Sequence, residues 1–298
     1  MLVIIIPVKH PARCNSYRRI TSLLENTLQS VCRQTHSEFR VIVVSNATPS
    51  YGRRFKDTTF VKVEFPPPPI PQSVDEEHSH VFLDKGSKHA IGLIKARQYN
   101  PTHIMFADAD DLVSCRLSEF VASRPSQPGW FMEKGYVYSD ITKLIEERSS
   151  FWKFCGTSHI LPFNIFRVPN ALSIGSTQRD LINSIEFQYL TRILGDHGKL
   201  REFCESKGAP LEPLPFIGAI WRADTGENSS RVIWNQQRFG PIWGRYVSKE
   251  ISDDFGLCRE ERSYRESFVT NLWRMRNLAR RSLKPFFRTR VNISPLFK

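Results

Sequence analysis

The chain has 298 residues, 40% of them hydrophobic, and a formal net charge of +12 at pH 7. This is enough apolar material for one large α/β domain or two fused lobes, and no run approaches the roughly 20 apolar residues that a membrane-crossing helix needs. The six cysteines (Cys14, Cys32, Cys115, Cys155, Cys204, Cys258) form no CxxC pair, which points to reduced thiols, speaks against a structural zinc site and predicts a cytoplasmic location.

The first hundred residues alternate strand and helix signals, as a parallel α/β sheet requires. Leu2 to Ile6 is a short apolar run closed by Pro7. It is too short and lacks the basic leader of a secretory signal, so it predicts a buried first strand. Ser16 to Arg33 carries Ile20, Leu23, Leu24, Leu28 and Val31 at helical spacing. Phe39 to Val44 predicts a second strand, with turn chemistry in Ser45 to Pro49, and Phe60 to Phe65 a third.

Pro66 to Pro69 with Pro71 cannot join a ladder, and the polar Asp75-Glu76-Glu77-His78 extends this into a predicted surface loop. Gly86 to Gln98 predicts a helix, and Thr102 to Ala107 a strand that runs into Asp108-Ala109-Asp110-Asp111. Beyond Arg124 the periodicity weakens, and the second half reads as a less regular lobe. Its best helix candidate is Gln178 to Leu194, stopped by Gly195 and followed by Asp196-His197-Gly198.

In open α/β sheets ligands bind at the carboxyl ends of strands, which is where the acidic turn falls. Asp108 and Asp110 are spaced to aim two hard oxygen ligands at one Mg²⁺ or Mn²⁺ together with substrate phosphates. The plainer alternative is that these aspartates only end a strand and cap the next helix.

Several stretches in order resemble glycosyltransferase family 2: Val3-Ile4-Ile5-Ile6-Pro7-Val8, Leu24 to Gln34 with Phe39 to Val44, and Asp84-Lys85-Gly86 through Asp108-Ala109-Asp110-Asp111. The resemblance covers about the first 125 residues. It implies a GT-A fold: a mixed, mainly parallel sheet flanked by helices, with a donor half at 1–125, an acceptor half at 126–255 and a basic helical tail at 256–298. It implies a nucleotide-diphospho-sugar donor, a glycan or lipid-linked acceptor, and Mn²⁺ or Mg²⁺ on Asp108 and Asp110, with Asp111 in support. Pro7 would lie by the base, Asp108 by the ribose or metal, and Lys85 and Lys88 by the diphosphate, although two lysines opening a helix can equally be solvated. Where the family often carries an acidic pair after the second strand this chain has Ser45-Asn46, so Asn46 would meet base or ribose without charge.

Transfer also needs a group to take the proton of the attacking hydroxyl. In the family an acidic residue of the second half does this, and the positions here are Asp196 and His197. Either can be the base, with His197 alternatively an extra metal ligand. Phe154 to His159 and Pro215 to Arg222, leading into Asp224-Thr225-Gly226-Glu227-Asn228-Ser229, mix aromatic and polar groups in the way sugar sites do, and equally in the way ordinary core does. Cys155 has no activating partner and reads as buried. His78 and His80 have metal-like spacing without a third ligand.

From Ser267 onward there is no acidic residue, and Arg274, Arg276, Arg280, Arg281, Lys284, Arg288, Arg290 and Lys298 supply eight positive charges. Between Phe268 and Phe287 the basic residues are interleaved with Leu272, Trp273, Met275, Leu278, Leu283 and Phe286, which suits a helix lying on an anionic membrane surface, the contact running through 268–298, or one docked on the body. The body itself is only mildly basic, which speaks against nucleic acid as a partner. A nucleotidyltransferase of similar fold and a noncatalytic binding protein anchored by the tail are the rival readings. The first would be expected to show a glycine-rich loop where Pro7-Val8-Lys9-His10-Pro11 stands.

Overall fold

The computed structural model describes residues 1–49, 54–228, 242 and 244–257. All of them fall in one unit, Met1–Cys258. The basic tail, with its predicted membrane helix at 268–298, and Cys258 and Ser229 lie outside the described residues.

Two sheets organise the chain. The larger has seven strands in the order β10-β6-β9-β4-β1-β2-β3: β1 (Leu2–Pro7), β2 (Phe39–Ser45), β3 (Thr58–Lys62), β4 (His103–Phe106), β6 (Trp130–Phe131), β9 (His159–Pro162) and β10 (Glu212–Pro213). β1 runs parallel to both β2 and β4, and β2 parallel to β3, while β9 is antiparallel to β4 and β6. This is the mixed, mainly parallel sheet flanked by helices that the sequence predicts.

The run of six apolar or proline residues in β1 works because both of its faces are covered. Its alternating side chains divide between two cores. Val3 and Ile5 join Ala90, Ile91, Leu93 and Ile94 of α2 (Val74–Ala96), and Leu2, Ile4 and Ile6 join Ile20, Leu24, Leu28 and Val31 of α1 (Tyr17–Val31). Ser16 caps α1 by accepting the Arg19 N–H at 3.2 Å.

After β1 the chain builds outward through β2 and β3, and it then returns across the sheet to place β4 on the other flank of β1. The carboxyl ends of β1 and β4 therefore border a topological switch point, the position at which open α/β sheets form a cleft.

Three expectations are corrected. Asp75 to His78 is not loop but the first turn of α2, whose cap is Ser73 accepting from the Glu76 N–H at 3.2 Å; a serine three residues ahead of a glutamate is a helix-start signal that the neighbouring prolines mask. Lys85 and Lys88 consequently sit in mid-helix, and His78 and His80 are helical. The long helix expected over Gln178 to Leu194 is broken. α4 (Gln178–Ser184) has a Thr177/Asp180 capping box and ends at the extended Ile185, and the chain rewinds as the π-helical segment Tyr189–Leu194. Asn183 and Ser184 are weak helix formers, and the break lets Leu181, Ile185 and Leu190 all reach the same core.

The second half is also more ordered than its sequence suggests. It supplies four strands of a five-stranded sheet, β12-β8-β7-β11-β5, namely β7 (Lys134–Ser139), β8 (Leu144–Ser149), β11 (Ala219–Ala223) and β12 (Arg245–Tyr246), which β5 (Leu112–Val113) joins from the first half. Helices α3 (Leu117–Ala122), α5 (Leu200–Ser206) and α6 (Lys249–Phe255) complete the described elements. The acidic turn leads from the large sheet into the small one, between β4 and β5.

Candidate functional site

A cavity of about 840 Å³ opens at the switch point. Its wall contains Pro7 from the end of β1, Lys85 from α2, Asp108 and Asp110 from the acidic turn, and Asp196 and His197 from the turn after the π-helical segment. These six sequence-predicted residues, spread over 190 positions of chain, share one space. Asn46 and Lys88 do not line it.

The three aspartates of the turn have separate environments. The Asp108 carboxylate accepts from Lys85 Nζ at 2.5 Å, and its backbone N–H donates to Thr157 Oγ1 at 2.8 Å. Burial pushes the Asp108 carboxyl up, but the charge and hydrogen bond of Lys85 more than offset this and hold it below the usual carboxylate range. The same pairing raises Lys85 against the opposing effect of its burial.

Asp110 accepts from Asn228 Nδ2 at 3.0 Å, and Thr225 Oγ1 lies 3.4 Å from the same oxygen. Burial and the neighbouring Asp108 charge push it up to about 6. Asp111 is 1% exposed and faces away from the cavity, accepting from Thr157 Oγ1 at 2.6 Å, from the Arg222 N–H at 3.2 Å and from Cys155 Sγ at 3.4 Å. Burial, then Asp110 and Asp108, raise it well above its usual range. Its contacts tie the turn to β11 and to the 155–157 loop, the supporting part expected of it. Cys155 is buried and its thiol is raised well above the ordinary value by that burial.

Asn228 fixes Asp110 from a satisfied position. Its amide also donates to the Arg222 carbonyl at 2.8 Å, and its oxygen accepts from the Thr225 N–H and hydroxyl at 2.9 and 2.7 Å. One residue earlier, the Glu227 carboxylate accepts from the N–H groups of Asn15 at 3.0 Å and Ser16 at 2.7 Å, and lies 3.8 Å from Lys9 Nζ. The 225–228 segment thus straps the acidic turn to the loop after β1. Sequence reading noted this stretch for its composition; its hydrogen-bonding role has no local pattern to reveal it.

Lys88 is a strut. Its fully buried ammonium donates to Asp84 Oδ2 at 2.7 Å and to the Val8 carbonyl at 2.8 Å, so it ties α2 to the end of β1 and does not face the cavity. Burial lowers its pKa despite Asp84. Asn46 donates to the Phe65 carbonyl at 3.0 Å, which ties the end of β2 to the chain beyond β3.

The Asp196-His197 turn is seated by α2. His89, 1% exposed and stacked on Phe106 at 4.0 Å, has Nδ1 2.6 Å from the Leu194 carbonyl. Gly86 lets the two backbones meet: a Cβ there would lie 1.9 Å from the Leu190 oxygen. Asp196 Oδ1 accepts the Gly198 N–H at 2.9 Å. His197 is lowered by burial and by Lys85, with the Lys153 carbonyl facing the ring and acting in the opposite sense, and its Nε2 has no hydrogen-bond partner among the described residues. The structure therefore separates two residues that the sequence left equivalent.

Among the described residues no three His, Cys, Asp or Glu side chains stand together as a metal cage, His197 with Asp108 and Asp110 included. His78 and His80 line the same cavity without forming such a group. The two turn carboxylates still fit Mg²⁺ or Mn²⁺. Such ions take one or two protein carboxylates and complete their shell with phosphate oxygens and water, and a cation there would relieve the burial and the Asp108 charge that push Asp110 up.

No family model matches the chain, and no curated protein matches it in sequence. Among solved structures it is similar to S. aureus TarS, at 13% identity and a TM-score of 0.39 over 74% of this chain and 36% of that one. It is also similar to a putative glucose-1-phosphate thymidylyltransferase from Bacillus anthracis in complex with a sucrose, at 8% identity and a TM-score of 0.39 over 82% of this chain and 98% of that one. The chain spans about a third of the TarS chain's length. Likenesses this distant carry no argument about activity, which rests on the site.

Proposed function

We propose that the chain is a nucleotide-sugar-dependent glycosyltransferase that moves a sugar from a nucleoside diphosphate donor to a hydroxyl acceptor by a single inverting displacement. The observation that carries this reading is the convergence on one cavity of the acidic turn, a lysine already in contact with it, and a neutral histidine with an unpartnered nitrogen. Asp108 and Asp110 would hold Mn²⁺ or Mg²⁺, which when bound supplies positive charge to the departing diphosphate. Lys85 adds a mobile ammonium to the same leaving group. Pro7 and Val8, at the end of β1, offer an apolar wall for the base.

His197 takes the proton of the attacking hydroxyl. Burial and the nearby Lys85 charge lower its pKa and so favour the neutral ring, and Nε2, a buried atom without a partner among the described residues, is the lone pair it would turn to the acceptor. Asp196 then positions the turn through Gly198. Trp221, whose ring lies 5.7 Å from that of Phe154, presents with it an aromatic wall on the acceptor side.

The test is to incubate the protein with Mn²⁺ and UDP-, GDP- and TDP-sugars and to follow nucleoside diphosphate release, with Asp110→Ala beside it. Release by the native chain and its loss in the variant is the expected result. Pyrophosphate release from a nucleoside triphosphate and a sugar phosphate would replace this reading by nucleotidyl transfer, and no turnover in either format would leave a binding protein.

A further inference from the structure

We propose that Arg222, seated on the buried carboxylate of Asp140, is a positioning residue for the acidic turn and fixes the direction in which Asp110 offers its oxygens to a divalent cation. This rests on the reading of Asp108 and Asp110 as the metal-holding pair and adds the part of the fold that sets their geometry.

The main chain of Arg222 is joined to two of the three aspartates. Its N–H donates to Asp111 Oδ1 at 3.2 Å, and its carbonyl accepts at 2.8 Å from the same Asn228 amide nitrogen that donates to Asp110 at 3.0 Å. Where the end of β11 stands therefore decides where both carboxylates stand. That end is held by its neighbour in the small sheet: β11 runs parallel to β7, and the N–H of Asp140, just beyond β7, donates to the Ala223 carbonyl at 3.1 Å.

The side chains complete the seat. Arg222 Nη2 lies 2.7 and 3.0 Å from the two Asp140 oxygens, with Nε 3.3 Å from the first. The two side chains are only 7% and 6% exposed, and a carboxylate so buried is tolerated where its oxygens are filled. A second guanidinium, that of Arg19 in α1, closes on Asp140 Oδ2, and Arg19 Nε donates to the Thr225 carbonyl at 3.3 Å. Helix α1, the ends of β7 and β11, and the 225–228 strap thus meet on one carboxylate.

Charge alone does not explain this arrangement. Burial and the Asp108 charge push Asp110 up, and the Arg222 charge acts against them. An arginine placed only to neutralise the turn would be weakened by a carboxylate of its own. Asp140 instead fixes the guanidinium, whose planar fork sets a direction that a lysine would not, and with it the main chain that carries Asn228 and Asp111. Partners that orient a metal's ligands in this way are worth about 10–100-fold in metal affinity.

The experiment measures Mn²⁺ binding to the full chain by paramagnetic resonance at about pH 8, above the value of about 6 to which Asp110 is raised, so that protons do not compete. The variants are Arg222→Gln, Asp140→Asn, the two combined, and Arg222→Lys. By charge alone Arg222→Gln would tighten Mn²⁺ binding, Asp140→Asn would weaken it, and the double variant would leave it unchanged. Positioning predicts instead that all three weaken it by a similar factor of about 10–100, because the pair acts as a unit, and that Arg222→Lys recovers part of the loss. Arg222→Gln leaves Asp140 paired with Arg19, so a cooperative thermal melt is expected. Should that variant not fold, Asp140→Asn and Arg222→Lys decide by the same comparison. Unchanged or tighter binding in Arg222→Gln, native affinity in Asp140→Asn, or losses that add in the double variant would overturn the proposal. No Mn²⁺ binding by the native chain would remove the metal site and this proposal with it. Native Mn²⁺ binding without nucleoside diphosphate release from any donor would remove the glycosyltransferase reading, and the variants' affinities would still judge the role of Arg222.

Discussion

Lys85 Nζ lies 2.5 Å from Asp108 Oδ1, and the pair fits only because residue 156 has no side chain: a Cβ on Gly156 would stand 2.5 Å from Asp108 Oδ2 and 3.0 Å from Lys85 Nζ. The contact joins α2 to the acidic turn across the floor of the cavity, with the 155–157 loop closed over it. Replacing Gly156 should therefore act on the site before it acts on the fold. Gly156→Ala is expected to lower donor turnover by about ten-fold or more, because small displacements of catalytic groups have large kinetic effects, while the melting temperature changes little. Full activity in this variant would show that the ion pair is dispensable to the site.

Lys88 should show the opposite pattern. Its ammonium and the Asp84 carboxylate are buried together, so removing one member strands the other. Lys88→Met should cost about 3–5 kcal/mol in urea unfolding, and the double variant with Asp84→Asn should recover much of that. Loss of donor binding at unchanged stability would return Lys88 to the diphosphate, where the sequence placed it.

The contrast between these two lysines shows how far the sequence could be read. The place of Asp108 and Asp110 was legible because it follows from strand order: a turn after β4 beside the end of β1 is a cleft in any sheet wound this way, whereas Pro7 and Lys85 were offered only by the resemblance to glycosyltransferase family 2. Lys85 and Lys88 are alike in type and lie on neighbouring positions of one helix face, and what each meets across α2, Asp108 for one and Asp84 with the Val8 carbonyl for the other, decides which faces the cavity and which is buried. Asn46 does not line the cavity, and its amide N–H donates to a carbonyl 19 residues later. The strap of Glu227 and Asn228, the seat of His197 against α2 and the second sheet all depend on contacts between distant segments, with strands as short as two residues, and no local periodicity encodes them.

Two buried histidines give stability a defined pH dependence. Burial pulls His89 and His159 down to about 3, whereas in the unfolded chain each titrates near about 6.5. Between those values the unfolded state binds the extra proton, so the stabilisation is complete above about 6.5 and is lost as pH falls. Asp110 has the reverse sign: its pKa is raised to about 6 in the fold, so acid relieves a cost. The histidine contribution is therefore best isolated as a difference. Between pH 6 and pH 5 the native chain should lose about 1.2 kcal/mol more than His159→Gln, measured by urea unfolding at each pH. Parallel curves would mean that His159 is not held neutral.

The basic tail can be tested separately. A chain ending at residue 258 retains all the described elements, and it should melt as the full chain does while losing sedimentation with anionic vesicles at low salt. Equal vesicle binding by both forms would place any membrane contact elsewhere.

The two residues left as alternatives for the proton acceptor now predict different variants. Asp196 accepts the Gly198 N–H, a bond that the oxygen of an asparagine can also make, so Asp196→Asn should keep most of the transfer rate. His197 has its pKa lowered by burial and by Lys85, and its Nε2 is unpartnered among the described residues. His197→Asn should lower kcat by about 10²–10⁴-fold while leaving nucleotide affinity, read by calorimetry, close to native. The ring is held below its ordinary pKa, so in the native chain activity should persist at pH values where a solvent-exposed histidine is already protonated, and this acid limb should vanish in His197→Asn. A large loss in Asp196→Asn together with a mild one in His197→Asn would reverse the assignment and make the aspartate the base.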